Sequence, residues 1–237
     1  MNRSAKKTEA HEELDDMKPE YDFSAGERGK HAHLFGEVSE DEALIEIFWR
    51  EKGFIPERFE KEHTRFSKSP DFKLYKDSKL VAYCEVKTFQ HDRWMDKQLN
   101  AVKPGEMAGG LRQDPIYNRI SNAVHTAAQQ FNAVNPNHEV FNFLMLVNHD
   151  KAAKYADLVS VLTGYWDPLH GVLEKTHTQF SEGRIREDKR KVDLYLWMKP
   201  ASDGKLQLGG YFFGNDQSVE PVSQLLGIDR SKIKMIS

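Results

Sequence analysis

Residues Ser69–Phe89 read SPDFKLYKDSKLVAYCEVKTF, and this stretch decides the fold. Two runs rich in β-branched and aromatic residues, Phe72–Tyr75 and Leu80–Val86, flank the polar tetrapeptide Lys76-Asp77-Ser78-Lys79. Asp and Ser in that place favour a tight turn, so the spacing predicts a β-hairpin. Side chains alternate along a strand, which puts Glu85 and Lys87 on one face and Val86 on the other. Cys84 then lies on the face opposite Glu85, as a small buried hydrophobe. Folding the hairpin brings Asp71, at the mouth of the first strand, towards the far end of the second.

Two carboxylates and an ammonium thus gather around one point. Asp71 and Glu85, with the Val86 carbonyl and water, make a hard oxygen set that suits Mg²⁺ (or Mn²⁺), since Mg²⁺ takes few carboxylates and keeps its water. Lys87 beside them is placed to hold or deprotonate an attacking water and to offset charge on a phosphorane-like transition state. The chemistry implied is metal-assisted hydrolysis of a phosphodiester.

Pro70-Asp71 followed by Glu85-Val86-Lys87 resembles the PD-(D/E)xK nuclease superfamily of restriction enzymes, junction resolvases and repair nucleases. The resemblance implies an α/β fold with a restriction-endonuclease-like core, a mixed β-sheet flanked by helices. It implies a metal-dependent nuclease acting on nucleic acid, on DNA in preference to RNA, in a bacterial defence or repair setting. It further implies a glutamate on the helix ahead of the first strand, and a polar residue on the long helix that follows the motif.

Upstream, Ser39 is a predicted N-cap, with Glu40, Asp41 and Glu42 in the first turn where the helix dipole favours them. Ile45, Phe48 and Trp49 recur at helical spacing, and Gly53 closes the helix. Glu42, Ile45, Glu46 and Trp49 share a face, so Glu42 and Glu46 are both candidates for the helix carboxylate. Phe54–Glu62 follows as a predicted strand, with Pro56 fitting a strand start or an edge.

Downstream, residues 91–113 form a long loop carrying His91, Arg93, Trp94, Lys97, Lys103 and Arg112, side chains that contact phosphate and stack on bases. Asp114-Pro115 starts a helix that runs to about Ala133, with Ile116, Ile120, Ala123, Val124, Ala127 and Phe131 as its buried stripe. Gln130 is the candidate polar residue on it, with Gln129 and Arg119 as second choices. Val140–Val147 is largely apolar and suits a central strand covered on both faces. Strand, long helix, strand implies a right-handed crossover and parallel pairing. A second helix is predicted over Lys151–Gly164. Residues 165–190 read as an irregular charged connection, where Arg184, Arg186, Lys189, Arg190 and Lys191 form a candidate phosphate-contact patch. Val192–Met198 and Leu206–Phe213 make a hairpin around Asp203-Gly204, and Ser218–Leu226 a terminal helix stopped by Gly227.

Length and composition bound the rest. A chain of 237 residues supports one domain, read here as 38–237, with its core at 39–164 and an extension at 165–237. Residues 1–37 are polar and without apolar periodicity, and read as an extended arm. Within the arm, Met17–Ala32, MKPEYDFSAGERGKHA, resembles a short segment of bacterial antitoxin-type proteins. The net charge of −3 excludes a uniformly basic coat but not a local basic groove. A single cysteine excludes an internal disulfide. Cys/His zinc spacings, a Gly-x-Ser-x-Gly elbow and phosphate-binding glycine loops are all absent from the sequence. No signal peptide or membrane span is expected, which predicts a cytoplasmic location. The partners implied are nucleic acid, a second copy of the chain, and a toxin–antitoxin or defence partner. The alternative reading is a catalytically silent nuclease-like domain that binds nucleic acid or a protein.

Overall fold

The computed structural model describes residues 40–59, 69–90, 100–103, 105–107, 116–166, 174–175, 178–201 and 204–228. The predicted arm 1–37, the Ser39 cap, the Asp114-Pro115 helix start and most of the 91–113 loop lie outside the described residues. In chain order come α1 (Glu40–Glu51), β1 (Ile55–Arg58), β2 (Phe72–Lys76), β3 (Lys79–Phe89), α2 (Ile116–Val134) and β4 (Phe141–Asn148). They are followed by α3 (Tyr155–Thr163), β5 (Tyr165–Trp166), β6 (Glu174–Lys175), β7 (Leu194–Pro200), β8 (Leu206–Phe213) and α4 (Asp216–Leu226).

Six strands form one mixed sheet in the order β1-β2-β3-β4-β7-β8, and β5 pairs with β6 apart from it. β2 and β3 are the predicted hairpin, with Asp77 and Ser78 at φ 50° and 62° in the turn. Two consecutive positive φ angles suit the right-handed twist of the flanking strands, and short polar side chains tolerate them. β3 and β4 are parallel, joined through α2 as the strand–helix–strand order predicts, and β4 is parallel to β7.

The sheet separates two apolar layers. On one side α1 and α4 pack over Phe72, Leu74, Ala82, Cys84, Phe143, Met145, Leu194 and Leu196. On the other, α2 and α3 cover Phe89, Leu144, Leu146, Tyr195 and Trp197. α1 buries Asp41, Ile45 and Trp49, each four residues apart and so on one stripe. Trp49 is fully buried, stacked on Phe143 at 5.6 Å and edge-on to Phe54 at 5.2 Å. Truncating it to Ala would cost about 3–5 kcal/mol.

Three boundaries depart from the sequence reading. The first strand spans Ile55–Arg58, an edge strand among the described residues; Phe54 turns into the core instead, and residues 60–62 of the expected strand lie outside the described residues. α3 begins at Tyr155 and not at Lys151, because Asp150 caps a turn first: its Oδ1 accepts from the Ala152 N–H at 2.9 Å. The connection read as irregular carries β5, β6, a π-helical turn at Gln179–Arg184 and a 3₁₀ turn at Asp188–Lys191. No helix among the described residues is long and apolar enough to cross a membrane.

Candidate active site

β2 stops pairing with β3 at Phe72↔Cys84, while β3 runs on to Phe89 beside β4. Among the described residues no strand pairs with β3 on the β2 side from Glu85 onward, and Asp71 takes that place. Its Oδ2 accepts from the Val86 N–H at 2.7 Å, replacing the ladder bond that β2 no longer supplies. In a strand the N–H and C=O of one residue point the same way. The Val86 carbonyl therefore faces the Asp71 side too, as the proposed donor set requires.

Glu85 and Lys87 both project towards α2, one above the other, as strand alternation demands. Glu85 is buried, 1% exposed, and Lys87 Nζ donates to its Oε1 at 2.5 Å. Lys87 also donates to Gln130 Oε1 at 3.1 Å, and Gln130 Nε2 donates to the Ser69 carbonyl at 2.9 Å. One glutamine on α2 thus ties the ammonium to the chain entering Asp71. Glu85 Oε2 is buried with no hydrogen-bond partner among the described residues. An orphaned carboxylate oxygen in the interior is costly unless something cationic or protic meets it.

The electrostatics follow from this burial. Desolvation, then the Asp71 charge, push the Glu85 carboxyl up to about 8, against the pull of Lys87. Desolvation also raises Asp71, opposed by the Val86 N–H and reinforced by the Glu42 charge. Two carboxyls whose ionisation is held back by burial favour a cation between them. Asp71, Glu85 and the Val86 carbonyl fit Mg²⁺ or Mn²⁺ by donor type, and the Oε2 atom is the unmatched ligand.

The helix glutamates stand differently. Glu42 is bonded to Arg58 Nη1 and is near enough to act on Asp71. Glu46 accepts from Arg50 Nη2 at 2.8 Å and Arg58 Nε at 3.2 Å, and these partners hold its carboxyl below the usual range. Among the described residues, no three His, Cys, Asp or Glu side chains converge on one metal position.

The second choices on α2 lie elsewhere. Gln129 bonds to His125, and Arg119 pairs with Asp150 at 2.9 Å and bonds to the Gln90 carbonyl. Sequence reasoning missed Arg58, whose role depends on strand register. It also missed the buried Asp41, which accepts from Thr88 Oγ1 at 2.6 Å and pairs with His149 Nε2 at 2.9 Å. An acidic residue in phase with Ile45 and Trp49 was the available signal for Asp41. Within the predicted basic patch, Arg184 bonds to Asn118 and Asn122, and Lys189 Nζ donates to the Leu162 carbonyl at 2.8 Å, while Arg186 and Arg190 stay exposed around Glu187. Comparison with protein-family models, curated proteins and solved structures returns no match.

Proposed function

We propose that the chain is a metal-dependent nuclease of the PD-(D/E)xK type, built on a restriction-endonuclease-like core and hydrolysing phosphodiester bonds, in DNA before RNA. The observation that carries this is the buried Glu85 carboxylate. One of its oxygens is held by Lys87; the other, beside Asp71 where no described strand pairs with β3 on the β2 side, has no hydrogen-bond partner among the described residues. A structural salt bridge has no use for the unpartnered oxygen, whereas a ligand set does. The order α1-β1-β2-β3-α2-β4-α3 also agrees with the order expected of such a core.

Asp71, Glu85 and the Val86 carbonyl would hold Mg²⁺ or Mn²⁺. When bound, the ion supplies Lewis-acid polarisation of the phosphoryl oxygen and acidifies a water. Lys87 carries three N–H donors, and Glu85 and Gln130 take two of them. The third is left for water or for a non-bridging phosphate oxygen, whose charge grows in the transition state. Gln130 fixes the direction of that donor and, through the Ser69 carbonyl, its distance from Asp71. The test is cleavage of end-labelled DNA and RNA with Mg²⁺, with Mn²⁺ and with chelator. Metal-dependent turnover lost in Asp71→Asn and Glu85→Gln is expected. Binding without turnover in every metal would favour the silent nuclease-like domain.

A further inference from the structure

Arg58 pairs across the strands with Phe72, the residue after Asp71. Its guanidinium lies 4.8 Å over the Phe72 ring and donates to both helix glutamates, Glu42 through Nη1 and Glu46 through Nε. The Phe59 N–H donates to the Asp71 carbonyl at 3.3 Å, which ties the same two strands beside the carboxylate pair. A guanidinium keeps its charge at every accessible pH. The Arg58 and Glu42 side chains are each 29% exposed, so their attraction is screened less than on open surface.

Arg58 binds Glu42 and pairs with the residue next to Asp71, so a third carboxylate is anchored near the metal-binding pair. Three carboxylates around one point would draw a second divalent ion and give the two-metal form of phosphodiester hydrolysis. They do not converge: Glu42 is turned to Arg58. We propose that Arg58 holds the helix glutamate out of the metal site, so that the chain binds a single divalent ion at Asp71 and Glu85. The guanidinium then occupies the helix glutamate in place of a second cation, and its stacking on Phe72 fixes it there. Neither metal availability nor pH removes it. This rests on the nuclease reading and assigns Arg58 as a positioning residue within it.

The experiment is titration of the metal-free chain with Mn²⁺, read by calorimetry for stoichiometry and by electron paramagnetic resonance for spin coupling between neighbouring ions. The wild-type chain is expected to take one ion without coupling. Arg58→Ala, and Arg58→Met, which keeps apolar bulk over Phe72, are expected to take two ions that couple. Arg58→Ala combined with Glu42→Gln is expected to return to one. Glu42→Gln alone is expected to leave Mn²⁺ affinity intact, where loss of a true ligand or its close support costs about tenfold or more. A wild-type chain that binds no ion overturns the nuclease reading itself. Two ions in the wild type, one ion in both Arg58 variants, or a tenfold loss in Glu42→Gln overturns the assignment of Arg58 alone.

Discussion

Lys87 Nζ sits 2.5 Å from Glu85 Oε1, while Oε2 of the same carboxylate is buried and meets no donor among the described residues. The ion pair is therefore lopsided: one oxygen is compensated, the other is desolvated without return in the metal-free chain. Breaking a buried pair leaves an uncompensated charge, yet keeping it half-satisfied also costs stability. That imbalance gives the site its measurable behaviour.

Metal-free stability should fall as pH rises. Glu85 titrates near 4.5 when solvated and near 8 in the folded chain. Between these values the folded state keeps a proton that the unfolded state has lost, so raising pH favours unfolding, by about 1.4 kcal/mol per pH unit from this group. Below 4.5 both states are protonated and the penalty vanishes. Glu85→Gln should flatten the profile and exceed the wild type in stability near pH 8. Urea unfolding in chelator at several pH values checks it. Parallel wild-type and variant profiles would show that Glu85 is ordinary.

Metal binding should expel the proton that burial retains. Below pH of about 8, each Mn²⁺ taken up should release close to one proton from Glu85, and above it progressively less. Calorimetry in two buffers of different ionisation enthalpy reads this directly. A binding enthalpy that is the same in both buffers would remove Glu85 from the ligand set.

How much of this site is visible in the sequence depends on how local the cause is. The hairpin, the shared face of Glu85 and Lys87 and the approach of Asp71 follow from period-two alternation and one polar turn. Gln130 is reachable because it borders the stripe that ends in Phe131, one position away. Arg58 is not, since its partners are fixed by the pairing Arg58↔Phe72, between strands separated by residues 59–71. Asp41 reads from the sequence as a dipole-facing charge of the first turn. Its burial comes from Thr88 and His149, which reach it from two strand ends brought together only by the sheet. The start of α3 is shifted by a single side chain, Asp150, competing for backbone N–H groups.

Lys87 and Gln130 should separate by the kind of loss they cause. Lys87→Ala removes a preorganised donor and should lower kcat by about a hundredfold or more, with Mn²⁺ affinity changed far less than in Asp71→Asn. Gln130→Leu keeps the ammonium but frees its direction, for a loss of about ten- to a hundredfold in kcat. Single-turnover kinetics with separately measured metal affinity distinguishes them. A Gln130→Leu chain with unchanged kcat would leave Gln130 as a packing residue of α2.

The basic run at 184–191 should divide into a structural and a nucleic-acid-facing part. Lys189 is half-buried, its pKa lowered by desolvation, and it donates to the Leu162 carbonyl near the C-terminal end of α3. An ammonium engaged by orphan helix carbonyls has little left for phosphate. Lys189→Ala should therefore cost about 1–3 kcal/mol of stability and leave the salt dependence of DNA binding unchanged. Arg186 and Arg190 differ. Both are 64% exposed and share Glu187 at 3.8 and 3.7 Å, pairs too open to hold them. Neutralising both should weaken binding with little change in melting temperature. It should also flatten the slope of log affinity against log salt, by up to about 0.9 for each phosphate that the protein no longer neutralises. Filter binding over a salt series, with thermal unfolding of the same variants, makes the comparison. A slope altered by Lys189→Ala but not by the arginine pair would reverse the division and put the phosphate path along the α2–α3 side of the turn.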